Sequence, residues 1–140
     1  MTLSRLLYVS RCNSDKTGAD LIAEVRDLAS ESATRNAEAD LSGVLLHVGD
    51  SFVQVIEGPG ASVENVFERI CCDFRHEDVK LIDLVPVKER IFAEWDMAVL
   101  CPEADTAIRL RDDLEEVRFM VGINAREAVS QTRRLLDSRH

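Results

Sequence analysis

The stretch DSFVQVIEGP, residues 50–59, has the composition of a short buried strand, yet one polar residue lies within its apolar face. β-Branched and aromatic side chains dominate the stretch, and the glycine–proline pair ends it. Because alternate residues of a strand share a face, Gln54 points to the same side as Phe52 and Ile56. An unpaired buried amide costs about 1–3 kcal/mol, so we expect a second polar group to satisfy Gln54.

The bulk composition predicts a single globular domain with its own core. The chain has 140 residues, of which 46% are hydrophobic, and this balance is typical of globular proteins. The net charge of −9 comes without any basic stripe in the sequence. Since nucleic acids are bound through clustered lysine and arginine, we expect no nucleic-acid partner.

The N-terminal stretch MTLSRLLYVSRC lacks an apolar region followed by a small-residue cleavage site, so it does not resemble a signal peptide. Apolar runs also stay well short of the roughly 20 residues that span a bilayer. We therefore expect a cytoplasmic protein that does not interact with membranes.

Four cysteines are present, Cys12, Cys71, Cys72 and Cys101. They form no C-x-x-C pair and have no ligand-like spacing to the histidines. We predict reduced thiols, with Cys71 as a small core residue of a helix, and neither a disulfide framework nor a metal site.

Hydrophobic periodicity predicts five strands and four helices in the order β-α-β-β-α-β-β-α-α. The predicted strands are residues 3–10, 41–48, 51–57, 79–85 and 92–100, and the predicted helices are residues 18–36, 62–74, 106–118 and 125–136. Right-handed crossovers place the two early helices on one face of a mixed five-stranded sheet, as in an α+β ferredoxin-like fold. Residues 1–102 then form one domain, and residues 103–140 form a C-terminal helical extension.

The opposite face of the predicted sheet is also apolar, because it carries Leu7, Val9, Val53 and Val55. Such a face must be buried. The two C-terminal helices are one candidate to cover it, and the second subunit of a homodimer is the other.

Further side chains are expected beside Gln54. Tyr8 lies midway along the first strand, which neighbours the third in a ferredoxin-like sheet, so its phenol can hydrogen-bond the amide. Asn36 ends the apolar stripe of the first helix, and the predicted fifth strand brings Trp95 and Met97 to the same side. Amides and a phenol without a nucleophile–base pair suit a flat, neutral heteroaromatic ligand with donors and acceptors along one edge.

Simpler explanations exist for each of these residues. Asn36 can cap the C-terminal end of its helix, and Trp95 and Met97 can be core residues. Gln54 faces water if the strand register is shifted by one residue.

Five separated motifs share their order and spacing with a known family. They are Tyr8 in LLYVS, Asn36 in RNAEADLSG, Gln54 in FVQVIEG, Asp73, Arg75 and His76 in DFRH, and Trp95 and Met97 in EWDM. Together they resemble the BLUF domains, blue-light sensors that use flavin, over roughly residues 3–100. One position differs from some members of that family, because Arg35 precedes the asparagine where they have histidine, and an arginine can stack on a ring.

The resemblance implies a photoreceptor that binds FAD non-covalently, or alternatively FMN or riboflavin. Tyr8, Gln54, Trp95 and Met97 would carry the photocycle, and light would rearrange the hydrogen bonds between tyrosine, glutamine and flavin. The implied cofactor-binding residues are Asn36, Gln54, Arg75, Asp73, Arg35 and His76. The signal would leave through the C-terminal helices, a homodimer contact or a partner protein, without chemistry on a substrate.

Two other functions stay open. A flavin-dependent redox enzyme would use the same cofactor, although the sequence has no dinucleotide fingerprint. A cofactor-free ferredoxin-like binding module, or an acylphosphatase-like hydrolase, is the third possibility. The hydrolase would need an anion-binding loop after the first strand, and RCNSDKTG lacks the repeated glycines expected there.

Overall fold

The computed structural model describes residues 2–102 and 107–139, and its elements follow the predicted order. The strands are β1 (Leu3–Cys12), β2 (Ser42–Val48), β3 (Ser51–Pro59), β4 (His76–Val87) and β5 (Ala98–Leu100). The helices are α1 (Gly18–Glu38), α2 (Gly60–Cys71), α3 (Ala107–Val121) and α4 (Ala125–Arg139). Thr106, where the sequence predicts the start of the third helix, lies outside the described residues.

The five strands form one mixed sheet in the order β4-β1-β3-β2-β5. All neighbouring strands are antiparallel except β2 and β5, which are parallel. The central position of β1 and its pairing with β3 confirm the predicted ferredoxin-like α+β arrangement. Gly49 and Asp50 form the predicted turn between β2 and β3, and Gly49 adopts the positive φ of 61° that the turn requires.

Helices α1 and α2 cover one face of the sheet. This face contributes Leu6, Tyr8 and Ile56 to a core with Val63 and Ile70 of α2. A neighbouring core joins Leu45 and Phe52 of the sheet to Val25, Leu28 and Ala29 of α1. The candidate site lies on this face, because Gln54 is located between Phe52 and Ile56.

Helices α3 and α4 cover the other face. Leu7, Val9, Val53 and Val55 pack there with residues of both C-terminal helices, including Leu110, Leu114, Val117, Val121 and Leu136. Of the two predicted candidates, the chain's own C-terminal helices therefore bury this face.

The predicted fifth strand is too long, since β5 contains only Ala98–Leu100. The carboxylate of Glu57 accepts hydrogen bonds from the backbone N–H groups of Ile91 and Phe92, at 2.9 and 2.7 Å. Trp95 N–H in turn donates to the carbonyl of Phe92 at 3.2 Å. The N–H groups of Ile91, Phe92 and Trp95 therefore bind partners outside a strand ladder. The alternation of apolar and polar residues over 92–97 is nevertheless typical of a strand.

The second helix ends earlier than predicted. It stops at Cys71, and its last turn closes through bonds from Cys72 N–H to the Arg69 carbonyl and from Asp73 N–H to the Ile70 carbonyl, both 3.1 Å. The apolar stripe therefore ends at Ile70. Phe74 lies beyond the helix and is 89% exposed. Cys12, Cys71, Cys72 and Cys101 form no disulfide within residues 2–102 and 107–139, and the predicted burial of Cys71 is wrong because its side chain is exposed.

No helix within the described part of the chain is long and apolar enough to cross a membrane.

Candidate functional site

A buried hydrogen bond between Tyr8 and Gln54 lies at the centre of the site. The two residues are directly opposite each other in the β1–β3 pairing, and their side chains are 0% and 3% exposed. The Tyr8 hydroxyl donates to Gln54 Oε1. This bond identifies the polar partner that Gln54 needs, and it confirms that the amide faces the core.

Burial raises the pKa of the Tyr8 phenol well above its usual value, and the nearby Asp73 carboxylate raises it further. Both effects disfavour the phenolate, because a charge in an apolar surrounding loses its hydration. Tyr8 therefore remains a protonated hydrogen-bond donor at neutral pH.

The other end of the Gln54 amide contacts Met97. Gln54 Nε2 lies 3.6 Å from Met97 Sδ, and Met97 packs against the core between the sheet and α1. A thioether is a weak acceptor, so this end of the amide is held far less firmly than the end bound to Tyr8.

Trp95 does not join this group, so the prediction that Trp95 and Met97 share one side is wrong. Trp95 packs against the core formed with α3 and α4. The guanidinium of Arg133 in α4 lies 4.9 Å from the centre of its ring, within cation–π distance. The two side chains diverge because residues 92–97 form turns and do not have the alternation of a strand.

Asn36 lies in the last turns of α1 and is only 1% exposed. Its side-chain Nδ2 donates to the backbone carbonyl of Asp96 at 2.7 Å. The helix cap is Ala39, whose N–H bonds the carbonyls of Arg35 and Asn36. The amide of Asn36 therefore does not cap its helix, and it connects α1 to the segment that carries Met97.

Asp73 and Arg75 form a tight local pair after α2. Arg75 Nη2 and Nε lie 2.7 and 3.0 Å from the Asp73 carboxylate, which also accepts the Arg75 backbone N–H at 2.9 Å. The hydrogen bond from Arg75 lowers the pKa of Asp73 to about 2. Arg75 Nη1 reaches Glu31 of α1 at 2.7 Å. This arginine therefore connects α1 to the segment between α2 and β4.

His76 begins β4 and lies in the core, 7% exposed. Its Nδ1 is 2.8 Å from the hydroxyl of Ser10. Its ring lies edge-on to Tyr8, with centroids 5.9 Å apart, and tilted against Phe52 at 4.9 Å. Burial lowers the pKa of His76 to about 4, so the ring is neutral at pH 7.

A narrow cavity separates α1 from α2 above Gln54. It is lined by Ser32, Arg35, Asn36, Gln54, Val66, Arg69 and Ile70. The lining combines the amides of Asn36 and Gln54 with the aliphatic side chains of Val66 and Ile70 and with two arginines. This donor set fits a planar heterocycle with a polar edge, such as the isoalloxazine of a flavin. Arg35 Nη2 lies 3.5 Å from the Ser32 hydroxyl.

The structure brings five of the predicted residues to this region, namely Tyr8, Gln54, Asn36, Met97 and Arg35. The group formed by Asp73, Arg75 and His76 lies beside it, since His76 contacts the Tyr8 ring and Arg75 binds α1. Trp95 is the predicted site residue that the fold separates from the others.

Glu57 is a fully buried carboxylate, 0% exposed, that the predicted site does not include. It receives Arg5 Nε at 2.7 Å as well as the two backbone N–H groups before β5. The sequence does contain one indication of this burial. Glu57 alternates with Val53 and Val55, so it shares their otherwise apolar strand face.

Comparison with known proteins gives one consistent family. The family model BLUF, described as sensors of blue light using FAD, matches residues 3–98. The beta subunit of a photoactivated adenylate cyclase from Euglena gracilis is 38% identical over 97 residues, which are 69% of this chain and 11% of that protein. The blue light- and temperature-regulated antirepressor BluF of Escherichia coli is 29% identical over 122 residues, 86% of this chain and 28% of that protein.

The solved structure of BlrB, a BLUF protein in its dark state, aligns with a TM-score of 0.78 at 28% identity and covers 99% of this chain and 98% of that one. The chain thus matches BlrB along nearly its whole length, whereas it spans about a tenth of the Euglena protein.

Proposed function

This chain belongs to the BLUF family, whose members bind flavin, and we propose that it is a blue-light photoreceptor that holds a flavin non-covalently between α1 and α2. The observation that carries the proposal is the buried hydrogen bond from Tyr8 to Gln54, an amide that lines the cavity between those helices. A phenol and a carboxamide placed in this way can exchange a proton without water.

We assign flavin contacts to the residues that line or border the cavity. Asn36 and Gln54 would meet the polar edge of the ring, and Arg35 would cover part of its face. Asp73, Arg75 and His76 would support the side near the start of β4. The cavity lining supports the first three assignments, and the bond from Arg75 to Glu31 supports a role in positioning α1.

When bound, the flavin absorbs blue light and its excited state accepts an electron. Tyr8 is the phenol that would supply that electron, and its hydroxyl proton would move to Gln54 Oε1, because an oxidised phenol is a strong acid. Return of the electron and a proton to Tyr8 would leave no net reaction. Gln54 would then be rotated or tautomerised, which would exchange its donor and acceptor ends.

The change at Gln54 would spread through residues 95–97. Met97 contacts the amide, the carbonyl of Asp96 accepts from Asn36, and Trp95 lies under Arg133 of α4. A short segment therefore touches the proposed flavin site at one end and a C-terminal helix at the other. We propose that light alters this segment and thereby the helices of residues 103–140, which act as the output of the flavin-binding part, residues 1–102.

The chemical form of the flavin and the signalling assembly belong to the proposal. FAD is the expected form, with FMN or riboflavin as alternatives. The expected partner is a downstream protein. Relatives are named as a photoactivated adenylate cyclase and as a blue light-regulated antirepressor, and both names describe regulation by light. A homodimer stays a prediction.

Reconstitution with FAD, FMN and riboflavin, followed by blue light and analysis of the released cofactor, tests this function. A photoreceptor binds at least one flavin and shows a reversible red shift without added reductant. A flavin-dependent redox enzyme would instead accumulate reduced flavin with a nicotinamide cofactor. A chain that stays colourless with all three flavins would be a cofactor-free binding module, and the proposal would fail.

A further inference from the structure

Two cavities that share lining residues lie between α3 and α4. Their volumes are about 240 and 330 Å³, and both are lined by Glu116 and Gln131. We call this surface the α3–α4 groove. Its remaining lining residues are Asp113, Glu115, Val117, Phe119, Met120, Arg134 and Leu135.

Apolar side chains are exposed in and beside the α3–α4 groove. Phe119 is 68% exposed within it, and Ile123, two residues after the end of α3, is 65% exposed. Large apolar side chains grouped at a groove are typical of an interaction site, whereas single exposed ones are ordinary. The groove runs from Asp113 to Met120, so it is about 10 Å long at the rise of an α-helix and fits two turns of a docked helix.

The rim of the groove is acidic. Asp113, Glu115 and Glu116 make no ion pair with any other residue in ranges 2–102 and 107–139, and the one cation of the lining, Arg134, is already bound to Glu127 at 2.9 Å. A partner that covers this rim must therefore bring positive charge, because an acidic surface would be repelled. A second copy of this chain is disfavoured for the same reason, since its net charge is −9.

A polar group in the groove also lacks a partner among the residues that the structure describes. Gln131 Oε1 is shielded from solvent and accepts no hydrogen bond from any described residue. A buried acceptor without a donor is unfavourable. Rotation of this side chain would bring the oxygen to a donor on a docked helix, so docking can satisfy a group that residues 2–102 and 107–139 leave unpaired.

We propose that the α3–α4 groove binds a basic amphipathic helix of a partner protein. Apolar residues at i, i+3 or i+4 and i+7 of that helix fill the space beside Phe119 and Met120, and its lysines or arginines meet Asp113 and Glu116. The groove itself does not require flavin. The inference rests on the proposed function only in assigning this contact to light signalling.

The probe is a 14-residue synthetic peptide that places leucine on one face of a helix and lysine on the other. A second peptide with glutamate in place of lysine is the comparison. Fluorescence anisotropy with the full chain, with and without flavin, gives the dissociation constants. We expect the lysine peptide to bind at least about tenfold more tightly than the glutamate peptide, because only its charge complements the rim.

Variants locate the binding. Asp113→Lys with Glu116→Lys should weaken the lysine peptide about tenfold. Glu64→Lys with Glu68→Lys is the matched control, because it makes the same charge change at exposed positions of α2. Phe119→Ser, at an exposed position that the fold does not need, should weaken binding as well.

Equal losses in the α2 control and the groove variant would mean non-specific attraction and would overturn the proposal. Equal affinity for the lysine peptide and the glutamate peptide would also overturn the proposal. Sedimentation showing a dimer that Phe119→Ser dissociates would assign the groove to a second copy and would also contradict it. The light-induced red shift is measured separately on the same samples, so failure of the groove and failure of the photoreceptor function are distinguishable.

Discussion

Trp95 and Met97 are separated by one residue, yet they contact opposite sides of the sheet. Met97 packs with α1 and lies against the Gln54 amide, whereas Trp95 packs with the C-terminal helices under Arg133. The backbone between them is fixed by the bond from Asn36 to the Asp96 carbonyl. These contacts connect Gln54 to α4 through three consecutive residues.

This arrangement predicts different effects for two conservative substitutions. Met97→Leu removes the sulfur contact with Gln54, so it should change the rate of dark recovery several-fold while costing less than about 1.5 kcal/mol of stability. Trp95→Phe should leave the flavin spectrum and its recovery unchanged, since Trp95 packs with the core of the C-terminal helices and Met97 is the residue that contacts the amide. Absorbance after a blue flash measures both rates, and an altered recovery in Trp95→Phe alone would contradict the assignment.

The fold and the central pair were accessible from sequence because their signals are local. Alternation of side chains along β3 places Gln54 on a buried face, and helical periodicity identifies α1 and most of α2. The segment of residues 92–97 was not accessible in the same way. Its turns depend on the Glu57 carboxylate, more than thirty residues away, which binds the N–H groups of Ile91 and Phe92.

Tyr8 and Gln54 should be energetically coupled. Gln54→Leu leaves the buried Tyr8 hydroxyl without an acceptor and should cost about 1–3 kcal/mol in the free energy of unfolding. Tyr8→Phe should cost a comparable amount, because Gln54 Oε1 then loses its donor. The double variant should cost less than the sum of the two single losses, since no unpaired group of this bond remains. Urea unfolding of the four proteins measures the coupling, and strictly additive losses would argue against the bond.

Glu57 should be essential for the stability of the segment before β5. Glu57→Gln removes a buried charge that holds Arg5 and two backbone N–H groups, and the loss should be about 3 kcal/mol. Glu77→Gln is the control, because its ion pair with Arg11 is exposed and should contribute little. The urea midpoints of Glu57→Gln and Glu77→Gln are compared with that of the wild type. Similar small losses of stability in both variants would show that Glu57 is not needed to hold the segment.

Stability should fall as the pH drops below neutrality. Burial lowers the pKa of His76 to about 4 from an ordinary value of 6.5, so the folded chain binds fewer protons than the unfolded chain between these values. The contribution of His76 is complete above pH 6.5 and is lost as the pH falls toward 4. Linkage gives a loss of about 2 kcal/mol between pH 7 and pH 5.

His76→Gln should remove most of that dependence. Burial also lowers the pKa of His47, which adds a dependence of the same sign that remains in the variant. Urea unfolding at pH 7 and pH 5 measures the difference. A variant that loses as much stability as the wild type over this interval would show that His76 does not cause the effect.

The contact partners of buried polar residues such as Glu57 and His76 could not be predicted from the sequence. The pattern indicates that a strand position faces inward, but the side chains that meet there come from distant elements. His76 contacts Ser10 and Phe52, which lie on two other strands. These contacts depend on strand register, and each is decided by the packing of the whole sheet.

The most direct test of the proposed photochemistry is the light-minus-dark absorption spectrum of the flavin-loaded chain, recorded for the wild type and for Tyr8→Phe. Tyr8 is the only tyrosine in the sequence, so the substitution removes every phenol while leaving a ring of nearly the same shape. We predict a reversible red shift in the wild type and bound flavin without a shift in Tyr8→Phe. A normal red shift in Tyr8→Phe, or none in the wild type, would contradict the account.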